Sequence, residues 1–488
     1  MKSNPLYNRT REARLHVSTH DNFYRILLRP SILGYGIGRE TPDRKMIVIP
    51  RWKRIATAIF EISREWSYAS GRGAIRRRAA AVVAAIAALA AGPLAAENWP
   101  AWRGPNACGV SGETGLPETW SETQGVLWKA ALPGAGISNP IVWDDHVFVT
   151  CSDGPKQDEL HLICLARDDG QERWHLRLWG SAPTLYHATK SSMASPSPVT
   201  DGRHVFAFFG TGDVVCVDFD GRLVWQRSLA SEYGAFENRF AASSSPLLYR
   251  DLLLLQCDHY GASYLLAIDQ ATGADCWKTD RPDAWLSWSS PQLAPTGGAD
   301  EHELLVCGSH RLDAFDPLSG EKRWTVRGFA RECVPTPVFA GGLIYATSGP
   351  NGLTFCVRPG GRGDVTDTHV VWTSPQGAPF VPSAIVVGDY YYLVDDKGIG
   401  TCLDARTGGR VWRKRFGGAF TASPVAGDGK LYFCDEAGGT LVIASGTKSY
   451  RELARNQLDE PIYASPAISQ GKLFLRTAGH LVCVGAER

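Results

Sequence analysis

From residue 97 onward the apolar residues come in short runs, and none of them keeps a helical period. The segments HVFVT, HVFAFF, LLLLQ, ELLVC, LIYAT, YYYLV, KLYFC and KLFLR recur along the chain, with turns such as Asp201-Gly202, Gly341-Gly342, Gly388-Asp389 and Asp428-Gly429 ahead of them. These turn residues reach positive φ at little cost and close tight hairpins. Each unit opens on a Ser-Pro-like pair: Asn139-Pro140, Ser197-Pro198, Ser245-Pro246, Ser290-Pro291, Thr336-Pro337, Ser383-Ala384, Ser423-Pro424 and Ser465-Pro466. The second residues of these pairs are 58, 48, 45, 46, 47, 40 and 42 apart, which makes eight units. A third run carries a small residue in mid-strand (LICLA, VVCVD, LLAID), and a glycine turn then leads to a tryptophan.

Short β-rich runs with a period near 45 predict an all-β fold, an eight-bladed β-propeller of four-stranded antiparallel blades. The repeated tryptophans, Trp174, Trp225, Trp277, Trp324, Trp372 and Trp412, are large and flat enough to fill the wedge between neighbouring blades. The last unit, from Ser465, has room for three strands only. Val126-Leu127-Trp128-Lys129 supplies the fourth, so the N-terminal strand closes the ring and removes open sheet edges. The seventh unit lacks the tryptophan, and Leu453 is its nearest counterpart. The propeller is expected over 126–488, with 97–125 packing on it as an N-terminal segment.

Charge divides the chain. Residues 1–78 hold 17 Lys+Arg and 6 Asp+Glu, a net of +11; residues 79–96 hold none; the remaining 392 residues hold 34 and 44, a net of −10. A body that acidic is a poor partner for nucleic acid, which is bound largely through Lys and Arg on phosphate. The composition, 44% hydrophobic and 21% charged, excludes a wholly disordered or multi-pass membrane protein. Arg76-Arg77-Arg78 followed by AAAVVAAIAALAAGPLAA has the order of a secretory signal, expected over 76–96 with cleavage after Ala96. An uncleaved anchor is the alternative, but eighteen residues, eleven of them alanine, are marginal for ~30 Å of hydrocarbon. Residues 1–75 read as an over-extended start, with translation beginning at Met46 or later, or as a disordered basic extension. The mature chain is therefore expected to be exported to the periplasm or cell surface, without a stable membrane span.

The run small-Asp-x-x-Thr-Gly-x-x-x-Trp, as in Ala267-Ile268-Asp269…Thr272-Gly273…Trp277 and Leu403-Asp404…Thr407-Gly408…Trp412, resembles the PQQ-like (pyrroloquinoline-quinone-like) β-propeller repeat. The likeness covers roughly residues 99–488. The opening NWPAWRGPNACGVSGETGLPETW and the stretch CVRPGGRGDVTDTHVVW are similar to a secreted subfamily of such propellers. The resemblance implies two functions. One is a non-catalytic scaffold like the propeller lipoprotein of outer-membrane β-barrel assembly, although this chain has no lipid-attachment cysteine at the cleavage site. The other is a quinoprotein alcohol or sugar dehydrogenase using PQQ and Ca²⁺. Such enzymes carry longer insertions and often an adjacent cysteine pair, neither of which stands here. The scaffold is the leading expectation: no cofactor, a monomer, and a protein or cell-surface polysaccharide as partner. PQQ with Ca is the alternative.

Nine of the twelve cysteines fall at repeat positions and read as small buried core residues. A bridge from Cys151 to Cys164 is possible in an oxidising compartment. Free core thiols are the leading expectation, and Cys333, in an inter-blade loop, is the one candidate for a reactive thiol. Candidate ligand groups lie in the loops that join one blade to the next. Residues 175–196 contribute Tyr186, His187 and Lys190; 226–244 contribute Glu232, Tyr233, Glu237, Asn238 and Arg239; 278–289 contribute Asp283, Trp285 and Trp288; and Arg331 and Glu332 follow. Trp285 or Trp288 can stack a planar ligand, and Glu237 with Asn238 can hold a cation by oxygen. The leading expectation, however, is that these groups pair with one another and cap the channel. Asp258-His259 reads as a turn, and Pro359–Gly363 as a long turn with no helix after it. No catalytic residue is assigned.

Overall fold

Strands form wherever the runs above predict them. A computed structural model describes residues 97–488 apart from 183, 298–300, 350–351 and 487–488. The expected extension and signal segment lie outside the described residues. Eight antiparallel sheets make an eight-bladed β-propeller. In blade 1 the strands run Ile141–Trp143, His146–Asp153, Glu159–Ala166 and Glu172–Trp179 from the axis outward. In blade 8 the order is Ala467–Ser469, Lys472–Arg476, His480–Val484 and then Val126–Ala131, so the N-terminal strand closes the ring as expected.

The second strands are buried along nearly their whole length, because a neighbouring blade covers each of their faces; Val147 to Ser152 are all buried. They therefore read as continuous apolar runs rather than alternating ones. The outermost strands stand at the rim and are partly exposed, as in Asp275–Asp280.

The Ser-Pro pair has a structural reason. The backbone N–H of Ser197 donates to the Ser245 hydroxyl at 3.0 Å, Ser245 N–H to Ser290 at 2.9 Å, Thr336 N–H to Ser383 at 2.9 Å and Ser423 N–H to Ser465 at 2.9 Å. Asn139, Ser290 and Ser383 make the same link to Ser197, Thr336 and Ser423. A belt of hydroxyls thus links the innermost strands from blade 1 through to blade 8, with the one break among the described residues between blade 8 and blade 1. Asn139 holds this position in blade 1, and its Oδ1 is buried with no hydrogen-bond partner.

The tryptophans form a second belt at the rim. Trp128, Trp174, Trp225 and Trp372 donate Nε1–H to the carbonyls of Arg167, Phe219, Gln270 and Ala405 in the following blade, at 2.8–3.0 Å. Their rings lie over that blade's glycine turn. A Cβ on Gly170 would stand 2.6 Å from Trp128, and one on Gly273 2.8 Å from Trp225. Both glycines also have positive φ, 71° and 74°. Opposite each tryptophan across the outer strand pair stands the small residue of the third strand: Cys164 faces Trp174, Ala267 faces Trp277 and Cys483 faces Trp128.

Blade 7 corrects one expectation. The residue in the tryptophan position is Ala454, opposite Val442, and not Leu453. Trp120, from the N-terminal segment, covers the gap. Its ring lies 6.3 Å from Tyr432, as Trp128 lies 6.0 Å from Phe474 in blade 8. Trp120 N–H donates to Asn456 Oδ1 at 2.8 Å. Further upstream the segment crosses the face where the first strands end. It pairs Trp99 with Val142 and bonds Gly109 and Ser111 to Ala426. The Arg103 guanidinium is fully buried there and donates to the carbonyls of Ala384 and Cys108 at 2.7 and 3.0 Å.

The glycine-rich stretch of blade 5 is a long turn, but Gly363–Asp364 adds a parallel strand to the outer edge of blade 4, and a one-turn helix, Thr366–His369, follows. Cys151 pairs with His161 and Cys164 with Phe148, so those two cysteines are out of register and both are free thiols.

Candidate functional site

Antiparallel blades send the inter-blade loops and the turns between second and third strands to one face of the ring. The loops singled out in the sequence meet there. His187, from the loop after blade 1, stacks edge-on against Phe240 of the next loop at 6.1 Å, and Phe240 lies 5.8 Å from Trp288 of the loop after that. This chain of rings knits three consecutive loops into one surface.

Tyr186, Glu237, Asn238 and Arg239 line a single cavity of about 650 Å³. Asn238 is buried, and neither atom of its side-chain amide has a hydrogen-bond partner. The Arg239 guanidinium lies 5.0 Å from the Phe240 ring and makes no ion pair among the described contacts. Glu237 and Arg239 are exposed.

The other candidates have different roles. Lys190 pairs with Glu436 of blade 7 at 2.7 Å, and Glu436 also accepts from the Thr421 hydroxyl at 2.8 Å. That ion pair joins two widely separated blades. Burial pushes the nearby Asp396 carboxyl up, opposed by the Phe380 N–H that it accepts and by Lys190. His187 Nδ1 accepts from Lys190 N–H at 3.2 Å and so holds its own turn. Trp288 is buried, with Nε1–H on the Ala241 carbonyl at 2.9 Å, so its indole is a structural post rather than an open stacking platform. Trp285 is 49% exposed, with the Arg331 guanidinium 5.6 Å from its ring. Glu232 pairs with Arg227, and Tyr233 bonds Asp275, in a network apart from the cavity. Asp283 is an exposed partner of Arg311 at 3.7 Å.

Asp258-His259 is a turn. His259 Nδ1 accepts from Gly261 N–H at 3.1 Å, and Asp258 is the buried neighbour of Arg281 at 3.5 Å. Cys333 is fully buried, and burial raises its thiol well above the ordinary value. The expectation of a reactive thiol there is overturned; Cys276 is the exposed cysteine. Among the described residues no group of three or more His, Cys, Asp or Glu is placed to hold a metal ion. Glu237 is the one carboxylate among the described residues lining its cavity, so no Asp stands beside Glu237 and Asn238 there.

Sequence reasoning missed part of the cavity wall. Lys156 and Tyr260 come from turns between second and third strands, whose lengths are unremarkable, and Leu185 lies within a loop already singled out, with no motif to mark it.

A family model of PQQ-like repeats, described as outer membrane protein assembly factor BamB, matches residues 110–326, 201–414 and 395–486. The chain belongs to this family. The BamB of Burkholderia pseudomallei (strain K96243) is 29% identical over 127 residues, 25% of this chain and 32% of the relative. The match thus spans about a third of that relative's length. The crystal structure of BamB from Moraxella catarrhalis is similar with a TM-score of 0.53 and 13% identity, over 74% of this chain and 97% of that one. A europium-containing methanol dehydrogenase reaches a TM-score of 0.60 at 11% identity, over 79% and 90% of the two chains. Quinohemoprotein alcohol dehydrogenase from Comamonas testosteroni reaches 0.60 at 12%, over 80% and 81%. At such identities these structures share the fold and nothing finer. No helix among the described residues is long and apolar enough to cross a membrane.

Proposed function

We propose that this chain is an exported, non-catalytic binding propeller that docks a protein partner on its loop face. The observation that carries the reading is where apolar surface remains in water. Of the seven large hydrophobic residues left exposed among those described, Trp179, Leu185, Tyr260 and Trp285 stand on that face. Leu223, Val224 and Leu318 are on or beside the opposite turns. Leu185 and Tyr260 line one cavity on that face, and exposed apolar surface that is contiguous marks an interaction site. Membership of a family described by an outer-membrane assembly factor supports both a protein partner and a place in the cell envelope. In this reading the signal at 76–96 is removed and the chain works as a monomer without cofactor.

The test is site-specific photo-crosslinking in the producing cell. A photoreactive residue at Leu185 or Trp285 is expected to give a discrete protein adduct, and one at Leu318 none. Adducts from Leu318 alone, or adducts with polysaccharide only, would overturn the reading.

A further inference from the structure

We infer that the cavity beside Asn238 is a peptide-recognition pocket, which takes an apolar side chain from an extended partner segment with an acidic residue next to it. The inference rests on the protein-docking reading above and names the chemistry of the docked segment.

Shape comes first. Leu185, Phe236 and Tyr260 give the cavity its apolar wall, and they come from three separate stretches: the loop after blade 1, the loop after blade 2 and a turn of blade 3. Leu185 is 72% exposed and Tyr260 46%. Apolar area held in water here gains on being covered, at roughly 25 cal/mol per Å². At about 650 Å³ the space exceeds what one side chain fills, so adjoining backbone enters with it.

Polarity comes second. The buried Asn238 amide in the wall has neither its donor nor its acceptor satisfied. Such a group costs about 1–3 kcal/mol while unpaired. Both amide atoms are out of contact with solvent, so a peptide unit, which carries the complementary acceptor and donor, recovers that cost once the Asn238 side chain turns toward the cavity.

Charge comes third. Lys156 and Arg239 also line the cavity, and neither forms an ion pair among the described contacts, whereas Lys190 on the same face is already paired with Glu436. Arg239 is steadied on the Phe240 ring, which leaves its planar fork for a carboxylate. Glu237 is the one acid in the lining. The net −10 of the body acts at long range and is screened beyond ~8–10 Å at ordinary salt, so the local cations decide contact chemistry. A glycan fits less well. Of the two exposed tryptophans on this face, Trp179 and Trp285, neither lines the cavity, and Trp285 has the Arg331 guanidinium 5.6 Å from its ring.

The experiment is a selection of random twelve-residue peptides displayed on phage against the purified intact chain, followed by fluorescence-polarisation titration of a synthetic consensus peptide. The expected consensus is an apolar residue flanked by Asp or Glu. Leu185→Asp and Arg239→Glu are each expected to weaken the consensus peptide about tenfold or more, a loss of about 1.4 kcal/mol. Leu318→Asp, on the other face, is expected to leave it unchanged, as are the thermal midpoints of all three variants. Binding that ignores Leu185→Asp and Arg239→Glu, or a consensus without acid, overturns the inference. If no peptide is enriched while crosslinks still form at Leu185, this inference fails and the docking reading stands. If the crosslinks are absent as well, both fail.

Discussion

The rim and the loop face are built from the same repeat, yet they treat their side chains in opposite ways. At the rim each tryptophan meets a small residue across its strand pair and, in most blades, a glycine turn on the next blade, so large and small groups alternate around the circle. On the loop face the residues do not repeat. Leu185 and Tyr260 are left in water, Asn238 is left without a partner, and Arg239 is left without a counter-ion. Regularity satisfies most of the fold, although the Trp120 and Trp324 indole N–H groups and Asn139 Oδ1 also lack a hydrogen-bond partner, and the departures on the loop face leave apolar and charged groups in water. Blade 7 shows how strictly the rim keeps its rule. Where the repeat offers Ala454, the N-terminal segment brings Trp120 to Tyr432.

Perturbing the rim is therefore expected to cost stability and spare binding, and perturbing the loop face to do the reverse. The largest effect is expected for Trp128→Ala, which empties the wedge that closes the ring. Truncating a buried tryptophan costs about 3–5 kcal/mol, to be read from urea unfolding. Gly273→Val comes next. It puts a branched side chain at positive φ against the Trp225 ring, and the expected loss is about 2–4 kcal/mol in the same assay. Ser245→Ala removes one hydroxyl from the inner belt and strands the Ser197 N–H, at a cost of about 1–3 kcal/mol.

A smaller effect concerns acid. Burial alone would raise the Glu460 carboxyl, but the Thr477 hydroxyl, the Gly479 N–H, Lys129 and His480 outweigh it and hold the group at about 2, against 4.5 when unpaired. Because the folded value is the lower one, the contribution is complete above pH 4.5 and disappears as pH falls towards 2. Glu460→Gln should flatten the fall in stability across that window, as followed by acid titration of the unfolding midpoint. The smallest effect on stability is expected for Leu185→Asp and Arg239→Glu, within about 0.5 kcal/mol, since both side chains are exposed.

The fold was legible in the sequence because its signals are local and repeated. A Ser-Pro-like pair, a glycine turn and a Trp recur in the same order, and each does one physical job in most blades. Even the ring closure could be read, since a three-stranded last unit and a spare Trp128 strand imply one another. The site was legible only as a set of loops. The sequence pointed to Tyr186, Glu237, Asn238 and Arg239 but not to the cavity they share, because Lys156 and Tyr260 reach it from turns that look ordinary. Burial reversed two assignments. Trp288 and Cys333 stand in loops, where exposure is the natural expectation, and both are covered by neighbouring blades. Trp120 was passed over because its place in the circle depends on a contact with residues more than 300 positions away.

The contrast between rim and loop face is tested most directly by the yield of a photo-crosslink from position 260, measured in cells for Leu185→Asp and Gly273→Val chains alike. The account predicts that the yield collapses in the first, whose stability is untouched, and persists in the second, whose stability is reduced. Equal yields in the two, or loss in Gly273→Val with retention in Leu185→Asp, would contradict it.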